Sequence, residues 1–235
     1  MTKNRDMIEV GLGSIIAIHK PVGPSSNAIL TRIKRITGIK KVGHAGTLDP
    51  LASGVLVVGI GRSATKLLWG SDLDEKEYVA SIQFGVTSTT DDEEGEKTQI
   101  AAAKIPSPSD IKNVLKKFVG TIQQTPPIYS ALKIAGKPAY KLARAGTPIA
   151  LASRSVIIDN IELLEYEWPV AKIRVRCHSG VYIRSLCRDV GELLGCGAYT
   201  ADLMRTRVGK FSLDECLALE QFETLWNKTA PSASP

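Results

Sequence analysis

The feature that most constrains this chain is the apolar run Val55-Leu56-Val57-Val58-Gly59-Ile60, set between glycine-rich turns. A strand that is apolar on both faces needs cover on both, so residues 55–60 belong in the middle of a sheet. The loop before the run, Gly43-His44-Ala45-Gly46-Thr47-Leu48-Asp49-Pro50-Leu51-Ala52-Ser53-Gly54, holds one carboxylate, and Gly61 follows the run. Asp49 is the only acidic residue between Glu9 and Asp72, while Lys34, Arg35, Lys40, Lys41, Arg62 and Lys66 crowd the same region. Nearby positive charge favours the ionised carboxylate. Pro50 drives Asp49 out of the helical region and into an extended conformation.

Read alone, Asp49 fits four roles: nucleophile, metal ligand, helix cap, or acceptor for the N–H groups of its own loop. The last is the commonest for aspartate. Several chemistries lack their parts. A glycosidase site needs a second carboxylate, and none lies nearby in the sequence. The glycines lack the Gly-Lys-Ser/Thr ending of a phosphate-binding loop. With three histidines and four cysteines (Cys177, Cys187, Cys196, Cys216), none in a Cys-x-x-Cys pair, a zinc site is not expected. Covalent catalysis by one ionised carboxylate beside aromatic and basic groups remains open with the loop-acceptor role.

Length and charge set the remaining bounds. The 235 residues suit one large domain or two small ones, and 43% hydrophobic residues are enough to bury a core. No apolar run approaches the roughly 18 residues of a membrane span. Residues 1–10 mix charged and polar groups with no apolar stretch, unlike a secretory signal. The expectation is a cytoplasmic protein with free, buried thiols. The net charge of +6 is unevenly spread. Ten Lys/Arg and three Asp/Glu precede residue 71, nine acids and only Lys76 occupy residues 71–96, and residues 172–210 are basic again. Separated basic regions suit a phosphate backbone, and equally suit solvated faces.

In chain order, residues 14–18 read as a strand, and Ser25 or Ser26 caps a helix whose stripe is Ile29, Ile33 and Ile36 and which Gly38 ends. Residues 43–49 read as a loop. Over residues 77–84 the side chains alternate, with Tyr78, Ala80, Ile82 and Phe84 on one face. The acidic residues 87–97 read as a mobile loop. Ser107-Pro108-Ser109-Asp110 opens a helix. Residues 123–146 are irregular and basic, with Tyr129 and Tyr140 interleaved, as a single-stranded RNA contact or a plain connection would be. Residues 155–166 and 170–178 form a strand pair, the second with one face buried and the other basic (Lys172, Arg174, Arg176). A helix over residues 181–194 has Tyr182 and Arg184 in its first turn. A strand over 198–208 and a helix over 214–226 complete the order. Strands and helices without strict alternation predict an α+β protein with a mixed, mostly antiparallel central sheet and flanking helices.

The Gly43–Leu56 motif resembles the active-site motif of the TruB family of pseudouridine synthases, G-H-x-G-T-L-D-P-x-A-x-G-V-L. Further matches follow in order from Ile15 to Phe211: Lys20-Pro21, Lys76-Glu77-Tyr78, Tyr129-Ser130-Ala131-Leu132-Lys133, and Gly180-Val181-Tyr182-Ile183-Arg184-Ser185-Leu186. The resemblance implies the pseudouridine synthase fold and isomerisation, without a cofactor, of the uridine at position 55 in the T-loop of tRNA. The target base is flipped out, its N-glycosidic bond broken, and the base rejoined through carbon. It implies that Asp49 is catalytic, that His44 supports the reorganised RNA, and that Tyr78 stacks on the flipped base and is a candidate for proton transfer. Tyr182 lines the uracil pocket, the backbone at Leu203 contacts the uracil edge, and Arg184 ion-pairs with Asp49. Lys20 and Pro21 support the loop, and residues 123–147 form a thumb-like segment over the RNA.

The domains expected are a catalytic domain over residues 1–228 and a tail over 229–235, without the C-terminal PUA domain of many bacterial members. The expected partner is the tRNA T-arm stem-loop, bound by a monomer with no metal, no membrane and no obligate protein partner. Two other readings stay open: an RNA chaperone or tRNA-binding module, and a guide-RNA-dependent synthase of the Cbf5/dyskerin type.

Overall fold

A computed structural model describes residues 10–102, 104–130, 132–134, 136–145 and 151–229. The expected tail after Thr229, residues 1–9, and Ala131, Ala135 and residues 146–147 of the thumb-like segment lie outside the described residues. In chain order the elements are β1 (Ile15–Lys20), α1 (Ser26–Thr37), β2 (Val42–Ala45), β3 (Ala52–Ile60), α2 (Arg62–Leu67), β4 (Lys76–Phe84), β5 (Val86–Ser88), β6 (Lys97–Gln99), α3 (Pro108–Leu115), β7 (Gly120–Gln124), β8 (Lys133–Ile134), β9 (Lys137–Pro138), α4 (Ala139–Arg144), β10 (Arg154–Glu167), β11 (Val170–Cys177), α5 (Ile183–Leu193), β12 (Ala198–Val208), β13 (Phe211–Ser212) and α6 (Leu219–Thr229). The class is α+β, as expected. The chain divides into two compact units, one running through Glu77 and resuming at Met204, the other Tyr78–Leu203.

In the first unit the strand order is β1-β3-β12, with β2 also paired to β3 and β13 to β12. Every residue of β3 is buried, as its composition requires. It pairs antiparallel with β1, from Ile15 opposite Gly59 to Lys20 opposite Gly54. The Ser25 hydroxyl caps α1 by accepting from the Ala28 N–H at 3.2 Å, and Gly38 ends the helix at φ 70°. That left-handed conformation favours glycine. Ile29, Leu30 and Ile33 of α1 join Ile16, Ile18, Leu56, Val58, Ile60, Leu219 and Phe222 in one core cluster.

Two expectations change here. Residues 42–45 form a strand, not a loop, with Val42 opposite Ile60 and Ala45 opposite Val57. Gly43 and His44 carry little strand propensity, and pairing with a buried neighbour overrides it. The last helix begins at Leu219, not at Asp214. Glu215 closes a capping box with Ser212 on a short 3-10 turn, and Cys216, extended at ψ 140°, separates that turn from α6.

In the second unit the order is β12-β4-β11-β10-β7. Burial alternates residue by residue along β4, with Tyr78, Ala80, Ile82 and Phe84 inward. A capping box between Ser107 and Asp110 opens α3. Tyr182 is the N-cap of α5, one position outside the helix. The outward basic row of β11 is not an open positive face: Arg174 pairs with Glu162 of β10 at 2.8 Å and Lys172 with Glu165 at 4.0 Å. Cross-strand acids offset a row that the sequence of one strand shows as purely basic. The acidic residues 87–97 are not a free loop either. They close the β5–β6 hairpin, and Asp92 within them is 2% exposed. All four cysteines are free and buried, as expected.

Candidate active site

The first unit contains Lys20, Pro21, His44 and Asp49, and the second contains Tyr78, Tyr182, Arg184 and Leu203. In the first, the chain from Gly46 to Pro50 is fastened through its backbone at successive points. The Gly46 carbonyl accepts from Nη2 of Arg205 at 3.0 Å. The Ser26 hydroxyl donates to the Leu48 carbonyl and accepts from the Leu48 N–H, each at 2.8 Å and buried. The Asp49 carbonyl accepts from the Ala52 N–H at 3.1 Å. The Pro50 carbonyl accepts from the Gly23 N–H at 2.8 Å and from Nζ of Lys20 at 3.4 Å. Side chains from the start of α1, the end of β1 and β12 thereby hold the backbone on either side of Asp49, which is half-buried.

Ser26 is the one neutral side chain in this set that satisfies both an N–H and a carbonyl of the loop. Ser26→Ala leaves both buried groups without that partner, at about 1–3 kcal/mol for a group so orphaned. The expected result is a melting temperature lowered by several degrees together with a slower reaction, checked by thermal unfolding and single-turnover rates on one preparation. A melting temperature equal to wild type contradicts the anchoring role.

Lys20 is fully buried, and its ammonium also donates to the Pro21 carbonyl at 2.9 Å. Burial lowers its pKa from 10.5 to about 8; the Asp49 charge opposes that fall and the Arg205 charge adds to it. Below about pH 8 folded and unfolded chains both hold this proton, and the full burial penalty applies. Between about 8 and 10.5 the unfolded chain binds more protons, so the stability contributed by this group rises with pH, by on the order of 3 kcal/mol in all. Urea unfolding of wild type and Lys20→Met across that window checks the sign: wild type gains stability relative to the variant as pH rises.

His44 lies on β2 with Nδ1 buried and without a hydrogen-bond partner. Burial, followed by the Arg205 charge, lowers its pKa below 6.5, so the imidazole is neutral at pH 7. A neutral ring keeps one nitrogen as an acceptor.

In the second unit, Tyr78 and Leu203 are buried on β4 and β12. Tyr182 is held through its backbone by Gln124: the Tyr182 N–H donates to Oε1 at 2.8 Å, and Nε2 donates to the Tyr182 carbonyl at 3.1 Å. The Arg154 guanidinium lies 5.0 Å from the Tyr182 ring centroid, close enough for a cation–π contact. Arg184 is buried. Its Nη1 donates to Oδ2 of Asp92 at 2.9 Å and to the Thr90 carbonyl at 3.1 Å, and its Nη2 to the Tyr129 carbonyl at 2.8 Å. Arg188, one turn on, pairs with Asp91 at 2.7 Å. The acidic hairpin is therefore fastened to α5 by two adjacent ion pairs.

Three residues were missed by sequence reasoning: Arg205, Asp92 and Gln124. Arg205 and Arg207 look alike on a strand, and only the fold distinguishes the buried one. Asp92 is one of five acids between residues 91 and 96. Gln124 carried no signal, because backbone clamping by an amide depends on a partner 58 residues away.

The chain is similar to known proteins along most of its length. The model of the TruB family pseudouridylate synthase N-terminal domain matches residues 34–183. That of the tRNA pseudouridylate synthase B C-terminal domain matches residues 184–234. A tRNA pseudouridine synthase B of Parabacteroides distasonis is 44% identical over 217 residues, covering 90% of this chain and 92% of that protein. One from Pseudomonas fluorescens is 44% identical over 218 residues, covering 93% and 71%. Among solved structures, a chain of a Cbf5-Nop10-Gar1 complex superposes with a TM-score of 0.70 at 30% identity; 98% of this chain is covered but only 60% of that one. The fold is that of the pseudouridine synthases, and the chain belongs to the TruB family.

Proposed function

We propose that this chain is a tRNA pseudouridine synthase that isomerises uridine 55 of the T-loop, with Asp49 as the covalent catalyst and no cofactor. The observation that carries the proposal is 44% identity, along nine-tenths of the chain, to a protein named tRNA pseudouridine synthase B. The anchoring of residues 46–50 supports it, because a nucleophile acts through a fixed position relative to its target.

A base inside the T-loop stack is out of reach, so the nucleotide is flipped toward the enzyme. Asp49 attacks the ribose or the base as the bond between C1′ and N1 breaks. The uracil turns, C1′ bonds to C5 and the bond to Asp49 is broken again, and the C5 proton leaves to solvent while N1 takes one up, so the product is an isomer. Tyr78 stacks on the flipped uracil, Tyr182 lines its pocket and the backbone at Leu203 contacts its edge. Arg184 keeps the Asp49 carboxylate ionised and oriented. His44 supports the reorganised loop, and Lys20 with Pro21 supports the catalytic segment. The partner is the T-arm stem-loop, and the working form is a cytoplasmic monomer. Among the described residues no helix is long and apolar enough to cross a membrane.

The purified chain, given an unmodified tRNA transcript tritiated at C5 of uridine, should release tritium and form pseudouridine at position 55. No release sinks the proposal. The fold likeness to the Cbf5 chain favours a second reading, a synthase that needs a guide RNA. Turnover of the free transcript by the chain alone excludes it. An RNA chaperone without catalytic purpose is excluded if Asp49→Asn binds tRNA but fails to rescue the cellular defect.

A further inference from the structure

Arg205 is the largest of the fully buried side chains, at 1% exposure. Among the described residues it has no carboxylate within 4 Å. A guanidinium so deeply placed ordinarily has an anionic partner. This one has backbone carbonyls: Nε donates to Val55 at 2.8 Å and Nη2 to Gly46 at 3.0 Å. Those two carbonyls flank the segment that carries Asp49, so one planar group bridges its two ends. The rigid fork of donors suits arginine to this span in a way that a single ammonium is not.

The glycines of the motif make room for it. A Cβ on Gly46 would stand 3.2 Å from Nη1 of Arg205, and a Cβ on Gly54 would stand 2.1 Å from the Arg205 carbonyl oxygen. Both glycines have positive φ, 80° and 106°. The Arg205 charge also reaches the groups around the loop, disfavouring protonation of both Lys20 and His44.

We propose that Arg205 is a positioning residue for catalysis: by bridging the Gly46 and Val55 carbonyls it fixes the loop that presents Asp49. The proposal rests on the reading of Asp49 as the covalent catalyst. A residue of purely structural importance would lower stability and active fraction together, whereas a positioning residue lowers the rate of the folded enzyme.

The test uses Arg205→Lys, Arg205→Met and Gly46→Ala, each measured for fraction folded, tRNA dissociation constant, single-turnover rate and the NMR titration of His44, one of only three histidines. Arg205→Lys should lower the rate of folded enzyme by roughly 10²-fold, the effect of a small misplacement of a reacting group. Its tRNA affinity and its His44 midpoint should not change. Arg205→Met should lower the rate at least as far and move the His44 midpoint upward. Should neither Arg205 variant fold, Gly46→Ala decides, because it disturbs the bridge at an exposed residue: a slower rate at unchanged affinity supports the proposal, and a wild-type rate overturns it. Losses that track the folded fraction in all variants also overturn it. Full turnover by Asp49→Asn, with Arg205→Lys still slow, overturns the catalytic reading and not the anchoring. A wild-type rate in Arg205→Lys, with Asp49→Asn inactive, overturns the anchoring and not the catalytic reading.

Discussion

Asp49→Asn should abolish isomerisation, with a loss on the order of 10⁴-fold or more in single-turnover rate, and should leave tRNA affinity close to wild type. The amide has the size of the carboxylate but no anionic oxygen with which to form a covalent intermediate. The loop is fastened through its backbone: Arg205, Ser26, Gly23 and Lys20 hold backbone groups of Gly46, Leu48 and Pro50. The variant should therefore fold and present the same RNA-facing surface. One electrostatic change accompanies the chemical one. The Asp49 charge is what opposes burial at Lys20, so without it the Lys20 pKa falls below its value of about 8. Tritium release and filter binding measure the first two quantities, and a pH titration of Lys20 by NMR measures the third. Turnover comparable to wild type would falsify Asp49 as the covalent catalyst.

The parts legible in the sequence are those decided locally. The β3 run is apolar on both faces and is buried at every residue. The α1 boundaries follow from Ser25 and Gly38, whose capping roles need no tertiary partner. The alternation of β4 gives its inward face, Tyr78 included. What the sequence hid is decided by partners far along the chain. The β11 row reads as purely basic in the sequence, and in the fold Glu162 and Glu165 stand opposite it. The acidic segment looked mobile because like charges in sequence suggest solvated chain, yet Asp91 and Asp92 are the anions for Arg188 and Arg184, over ninety residues away. Lys20 is buried, with its charge disfavoured and its ammonium on the Pro50 carbonyl, which no local pattern indicates. The motif glycines at 46 and 54 read as turn formers, and their positive φ agrees. Their second task, leaving room for Arg205, appears only when β12 lies against β3.

Asp92→Ala should be among the most destabilising single substitutions in the second unit. Its side chain and that of Arg184 are 3% and 5% exposed. Oδ2 pairs with Nη1 of Arg184, while Oδ1 accepts from the Glu94 N–H and the Thr90 hydroxyl. Removing the carboxylate takes one anionic partner from a buried guanidinium, at up to about 3–5 kcal/mol. For a chain of this size that corresponds to a fall in melting temperature on the order of 10 °C. The β5–β6 hairpin should lose hydrogen-exchange protection at the same time, because Asp92 is its fastening to α5. The double variant Asp92→Leu with Arg184→Met separates stability from chemistry. Replacing both ions by apolar groups removes the buried charge as well and should restore most of the lost stability. Turnover should stay low, because the cation proposed to orient Asp49 is gone. If the double variant recovers stability and turnover together, Arg184 is a structural ion alone; if it recovers neither, the energetic account of the pair is wrong. Recovery of stability without turnover is the outcome expected of an arginine that serves the hairpin through Asp92 and the reaction through Asp49.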